Sequence, residues 1–152
     1  MPGAVDFYVI ASNATRARLE LACRIAEKAH RAGQTVLLWD EDAAELAALD
    51  ELLWTFADRS FVPHERVAPG SDSEAPVLLT AGPAPQRAIE VLINLSSGIP
   101  EAAAHAARVI EIVDSDPARR AAGRARFKAY RERGIEPASH QLAAASQASG
   151  RL

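Results

Sequence analysis

A chain of 152 residues with 49% hydrophobic and 24% charged side chains has the composition of one ordinary globular domain that can bury a full core. It holds no apolar run of about 18 residues, so a membrane-spanning helix is excluded. The N-terminal Met-Pro-Gly-Ala-Val-Asp has neither a basic flank nor a secretory pattern. The net charge of −3 exerts no general pull on nucleic acid, and the single cysteine, Cys23, excludes an internal disulfide and points to a reducing cytoplasm.

Val5 to Ala11 is a nearly continuous apolar run, as expected of a strand covered on both faces. Ser12 or Asn13 can cap the helix that follows, Arg16 to Ala32, and Gly33 stands where a helix ends on a left-handed residue. Cys23 lies on the apolar face of that helix and reads as an inert, buried thiol. Thr35 to Trp39 is a second buried strand. Strand, helix and strand joined by short links predict a parallel pair with a right-handed crossover.

Glu41 to Thr55 reads as a second helix, acidic where the helix dipole favours acids. Leu52 to His64 then places Trp54, Phe56 and Phe61 within eight residues of a chain that is only 5% aromatic. Pro63 fixes its own φ and pushes Val62 toward an extended conformation. The stretch reads as a helix end followed by a stiff aromatic arm. Two roles stay open for its rings, packing in the core or binding a partner.

Val67 to Pro76 is a polar loop rich in Pro, Gly and Ser. Val77 to Thr80 and Val91 to Leu95 are short buried strands separated by a turn at Gly82 to Gln86. Glu101 to Ala107 is a short helix, and Val109 to Val113 is the last strand. Asp114, Ser115 or Asp116 caps a final helix with Pro117 in its first turn and Gly134 at its end. Five strands alternating with helices predict a three-layer, Rossmann-like α/β domain with a mostly parallel sheet. The domain is expected to span residues 1–135. Residues 136–152, small and polar, are expected to form a flexible tail.

The final helix is the electrically distinct part. Asp116 to Gly134 holds seven of the seventeen Lys and Arg but only two of the twenty acids, and the rest of the chain keeps ten basic and eighteen acidic residues. Arg120, Arg124, Phe127, Lys128 and Arg131 share one helix face, while Ala118, Ala121, Ala122, Ala125 and Ala129 fall largely elsewhere and are expected to pack on the sheet. Cations alone suit a phosphate backbone. Cations around an aromatic ring also suit a peptide end that carries carboxylates and an apolar terminal side chain.

No coherent catalytic set emerges. The first strand–helix turn lacks glycine, so neither dinucleotide fingerprint nor phosphate loop is present. His30, His64, His105 and His140 have no metal-ligand spacing. No metal and no cofactor are expected. A nucleotide-binding enzyme using Ser96 to Gly98 and Asp40 is one alternative, and direct single-stranded nucleic-acid binding through the basic helix is another.

The arm D-E-L-L-W-T-F-A-D-R-S-F-V-P-H and the helix segment R-A-R-F-K-A-Y-R resemble the chi subunit family of bacterial DNA polymerase III. F-Y-V-I in the first strand and L-A-C-R-I-A-E-K-A-H-R-A-G-Q-T-V-L-L fit the same pattern, so the resemblance runs from about Phe7 to about Gly134. It implies a non-catalytic accessory protein of the clamp-loader assembly. Such a protein pairs with a psi subunit and binds the acidic C-terminal tail of single-stranded DNA-binding protein, so that it meets DNA only indirectly. By position, the resemblance implies a tail pocket of Arg124, Phe127, Lys128 and Val113, assisted by Arg120 and Arg126. It implies a psi-facing surface of Trp54, Phe61, Val62, Pro63 and His64. Phe127 stands where some relatives are expected to carry tyrosine, which leaves ring packing but removes one hydroxyl.

Overall fold

The computed structural model describes residues 3–56, 62–68, 73–83 and 87–142. Seven strands form one sheet in the order β3-β4-β2-β5-β6-β1-β7, and every pairing is parallel. In chain order the elements are β1 (Ala4–Ile10), α1 (Thr15–Arg31), β2 (Val36–Trp39), α2 (Ala43–Thr55), β3 (His64–Arg66) and β4 (Val77–Thr80). Then follow β5 (Val91–Asn94), a 3-10 turn (Glu101–His105), β6 (Arg108–Val113), α3 (Pro117–Glu132) and β7 (Ala138–Leu142). The α/β sandwich with a parallel sheet agrees with the expected architecture, but it has seven strands rather than about five.

The chain travels one way across the sheet from β1 to β3 and back again from β4 to β7. With right-handed crossovers, that reversal puts the helices before it, α1 and α2, on one face and the 3-10 turn and α3 after it on the other. Leu19, Leu21, Ala22 and Ala26 of α1 and Leu46, Leu49 and Leu53 of α2 cover one face, against Ile10, Leu38, Ile93 and Ile110. Tyr130 of α3 and Ala102 and Ala103 of the 3-10 turn cover the other, against Phe7, Leu37, Leu92 and Val109. Cys23 lies in the first of these cores at 0% exposure, and burial pushes its thiol up to about 12. It is the inert cysteine its helical position suggested.

The two strands missing from the sequence reading are both edge strands. β3, His-Glu-Arg, and β7, Ala-Ser-His-Gln-Leu, are polar and lie mostly exposed, so neither shows an apolar run. Backbone pairing with β4 and β1 makes them strands. Within the stretch expected to form a flexible tail from residue 136, Ala138–Leu142 extends the sheet next to β1, and residues 143–152 lie outside the described residues.

Local signals mark most helix ends. Asp42 caps α2 by accepting from the backbone N–H groups of Ala44 and Glu45, and Asp116 caps α3 by accepting from Arg119. Gly33 and Gly134 follow α1 and α3 with φ of 78° and 87°, a backbone region costly for other residues. For α1 the expectation of a Ser12 or Asn13 cap fails: the cap position is Ala14, without a side-chain bond, and Ser12 Oγ accepts the Ala14 N–H at 3.2 Å, ahead of the helix.

The rotation of α3 also departs from expectation. Its buried residues are Gly123, Arg126 and Tyr130, whereas Ala118, Ala121 and Ala125 face solvent. The reason is Glu111 of β6, fully buried and pointing at this helix. Arg126 Nε donates to Glu111 Oε1 at 2.9 Å, and the Tyr130 hydroxyl donates to Oε2 at 2.7 Å. Asn94 Nδ2 adds bonds of 3.1 and 3.0 Å to the two oxygens. Burial pushes the Glu111 carboxyl upward, and Arg126, Asn94 and Tyr130 pull it back.

A buried carboxylate left without its cation is strongly destabilising. Arg126→Met is expected to lower the unfolding free energy by about 3 kcal/mol. Adding Glu111→Leu to that variant is expected to recover most of the loss. Urea unfolding of the single and double variants checks both, and a single-variant loss below about 1 kcal/mol contradicts the role given to this pair.

Candidate functional site

With Arg126 and Tyr130 turned inward, the next helical positions, Phe127 and Arg131, fall on the flank of α3 that faces β1 and β7. Arg124 and Arg120 stack on the same flank one and two turns nearer the N-terminus than Phe127. The N-terminal end of the helix is held by Asp114, just after β6. Arg119 Nε and Nη2 make a bidentate pair with its two oxygens, both at 2.8 Å, and Arg120 Nε donates to its carbonyl at 3.1 Å. Burial works against the Asp114 charge, but the Arg119 bonds prevail and hold its carboxyl below the usual carboxylate range.

Between this flank and the sheet lies a cleft of about 200 Å³. Its floor is apolar: Phe7 and Val9 from β1 and Val113 from β6. Its helix side is Arg120, Gly123, Arg124 and Phe127, and its far side is Ser139 of β7. The Phe127 ring packs on Phe7 with centroids 5.2 Å apart and is half-buried. A second, shallower groove of about 420 Å³ continues along α3, lined by Arg124, Phe127, Lys128, Arg131 and Glu132. Arg124 and Phe127 belong to both, so the apolar floor passes directly into a cation-lined track. Lys128 Nζ lies 4.0 Å from Glu132 with both side chains well exposed, a pair of little strength.

Gly123 permits this approach of helix to strand. A Cβ there would stand 2.8 Å from Val113 Cγ2. Helical glycine costs about 1 kcal/mol relative to alanine, so its use in mid-helix needs such a packing reason.

The structure thus brings Val113, Arg120, Arg124 and Phe127 into one cleft and sets Lys128 beside it. Arg126 is not with them. It is 5% exposed, bound to Glu111 and to the Ser97 carbonyl at 2.9 Å, and it lines a different hollow at the carboxyl ends of the strands. Phe7, Val9, Gly123 and Ser139 were absent from the sequence reading. The glycine inside a helical pattern was a readable sign of close packing, and so was the glutamate inside the otherwise apolar V-I-E-I-V.

The aromatic arm divides. Trp54, in the last turn of α2, is 49% exposed. Its ring lies 4.6 Å from that of His64. The His64 side chain is itself buried, with Nδ1 2.6 Å from the Val62 carbonyl and Nε2 2.9 Å from Asp50 Oδ1. Val62, 1% exposed, belongs to the core, and Pro63 is half-buried. Phe61 lies outside the described residues. The arm is therefore a buried stem of Val62 and His64 that supports an exposed indole.

At the carboxyl ends of the strands, Ser96 and Asp40 of the residues named for a nucleotide are committed inside the protein, while the exposed Ser97 hydroxyl donates to Glu41 at 2.9 Å. Ser96 Oγ bonds Asn94 Oδ1 at 2.7 Å, and Asp40 is 1% exposed. Burial first, and then the neighbouring Glu45, raise the Asp40 carboxyl to about 8. Glu45 is in turn paired with the buried Arg18. Among the described residues no cluster of His, Cys, Asp and Glu is arranged to hold a metal ion, and no helix is long and apolar enough to cross a membrane.

Residues 2–138 match the sequence model of the family described as DNA polymerase III chi subunit, HolC. The chain is 44% identical over 138 residues to the DNA polymerase III subunit chi of Pseudomonas aeruginosa, covering 91% of this chain and 96% of that protein. It is 30% identical over 135 residues to the subunit chi of Haemophilus influenzae, covering 88% and 94% of the two chains. It is 33% identical over 118 residues to that of Escherichia coli K12, covering 76% and 80%.

Replacing Gly123 by alanine is expected to force Val113 into the cleft or lift α3, and to destabilise the fold by about 1–3 kcal/mol. A thermal or urea unfolding curve checks this, and an unchanged midpoint contradicts the contact.

Proposed function

The chain belongs to the DNA polymerase III chi subunit family, and from that premise we propose that it is a non-catalytic adaptor within the clamp-loader assembly for DNA replication. Its α3 cleft takes the acidic C-terminal tail of single-stranded DNA-binding protein, and the Trp54 surface pairs with a psi subunit. Contact with DNA is indirect, through the coated template.

The observation that carries the tail reading is the junction at Arg124 and Phe127. There an apolar floor of Phe7, Val9 and Val113 runs into a track edged by Lys128 and Arg131. A peptide end with an apolar last side chain fills the floor, and Arg120 and Arg124 meet its terminal carboxylate. Upstream acids follow Lys128 and Arg131. The guanidiniums of Arg119 and Arg126 are engaged by Asp114 and Glu111, whereas Arg131 meets the exposed Glu136 at 3.2 Å and Lys128 the exposed Glu132 at 4.0 Å, weak surface pairs that a ligand carboxylate can displace. Charge-assisted bonds of this kind are stronger than neutral ones, and the exposed ones weaken with salt.

The psi reading rests on Trp54. An exposed indole backed by a buried imidazole has the form of an interface anchor, whose truncation typically costs about 2 kcal/mol or more of binding energy. Within this reading Val62 and His64 support the anchor and Pro63 flanks it.

A fluorescence-anisotropy titration with a labelled aspartate-rich peptide ending in phenylalanine tests the cleft. Arg124→Ala and Lys128→Ala are each expected to weaken binding several-fold, by about 1 kcal/mol or more, without loss of the folded state. Raising the salt concentration is expected to weaken the wild type further. Unchanged affinity in either folded variant contradicts the cleft, and a gel shift by naked single strands as strong as by protein-coated ones favours direct nucleic-acid binding instead. Separately, Trp54→Ala is expected to abolish co-purification with a psi partner while leaving the unfolding midpoint within about 0.5 kcal/mol of wild type, as surface substitutions usually do.

A further inference from the structure

The far side of the cleft is made by β7, and β7 has little of its own to hold it. Ala138, Ser139, His140 and Gln141 are exposed, and only Leu142 is buried. Apolar burial therefore contributes little to its attachment. Among the described residues, what remains is the parallel ladder to β1, from Asp6↔Ala138 to Ile10↔Leu142, the buried Pro137 just before it, and one side-chain clasp. His140 Nε2 lies 2.9 Å from Asp6 Oδ1, and Arg108 Nε of β6 lies 2.9 Å from Asp6 Oδ2. The His140 ring also stacks on Tyr8 at 4.8 Å with planes 22° apart. Three adjacent strands are thus fastened through one carboxylate. Burial opposes the Asp6 charge, but the bonds from His140 and Arg108 outweigh it and keep the carboxyl below its ordinary value.

Alternation along a strand decides where this clasp stands. Ser139 pairs with Phe7 and faces the cleft, while His140 pairs with Tyr8 and faces the opposite side of the sheet. His140 cannot touch a ligand in the cleft. Segments with few buried contacts open at low free-energy cost, and a site that is complete only when such a segment is docked binds in proportion to the docked fraction.

We propose that β7 is a detachable wall of the peptide cleft and that His140 acts as a positioning residue, setting peptide affinity from the far face of the sheet by clasping β7 to Asp6. The proposal rests on reading the cleft as a peptide site. Linkage is reciprocal, so a bound peptide holds β7 in place.

The test uses the full chain and the labelled aspartate-rich, Phe-terminated peptide. His140→Leu, which keeps bulk but loses the bond to Asp6, is expected to weaken binding roughly fivefold. His140→Gln, which retains a donor, is expected to recover at least half of that loss. In wild type, saturating peptide is expected to slow amide hydrogen exchange across Ala138–Leu142. Wild-type affinity in His140→Leu, or exchange in β7 indifferent to peptide, overturns the proposal while leaving the cleft intact. A wild-type chain that takes up no peptide overturns the cleft and this proposal together.

Discussion

One buried carboxylate organises the functional face of this protein. Glu111 sits at 0% exposure in the middle of β6, where an isolated charge would not be tolerated. Its needs are met by Arg126 and Tyr130 from α3 and Asn94 from β5. Both α3 donors lie on a single helical stripe, so satisfying Glu111 fixes the rotation of the helix about its axis. That rotation sends Ala118, Ala121 and Ala125 outward and turns Phe127, Arg124 and Arg120 toward β1. A helix packed by its alanines alone would be free to settle in several rotations of similar energy. Polar specification of this kind gives the cleft its definition, and Gly123 against Val113 gives it depth.

The two surfaces assigned to partners stand at opposite ends of the sheet. The cleft borders β7, the Trp54 surface borders β3, and these are the outermost strands of a seven-stranded order. Six inter-strand steps separate them by roughly 29 Å. They also belong to different layers, since α2 covers one face and α3 the other. In the function proposed here, a psi subunit on one edge and an acidic peptide on the other need not compete, and the separation permits both contacts at once.

Much of this was legible in the sequence, and what was not has a physical cause. V-D-F-Y-V-I-A, V-L-L-W and V-L-I-N are central strands covered on both faces, so their apolar runs announce them. His-Glu-Arg and Ala-Ser-His-Gln-Leu are edge strands defined by backbone pairing, and pairing leaves no mark in side-chain pattern. The cationic residues of the cleft were legible because helical spacing groups them. Of its floor, Val113 came through the family resemblance, but Phe7 and Val9 did not show, because they reach Val113 only through a β1–β6 pairing across more than a hundred residues of sequence. Arg126 entered the expected pocket through the family resemblance and not through the helical stripe, and its bond to Glu111 shows that it points inward.

The proposed function turns on an acidic peptide docking between α3 and β1. A backbone-amide NMR titration of the full chain with the aspartate-rich, Phe-terminated peptide tests that docking most directly. The largest shifts are expected at Val113, Gly123, Arg124, Phe127 and Ser139, with Trp54 and His64 unmoved. Shifts concentrated instead at Asp40, Ser96 and Arg18, or spread along the Trp54 surface, would contradict it.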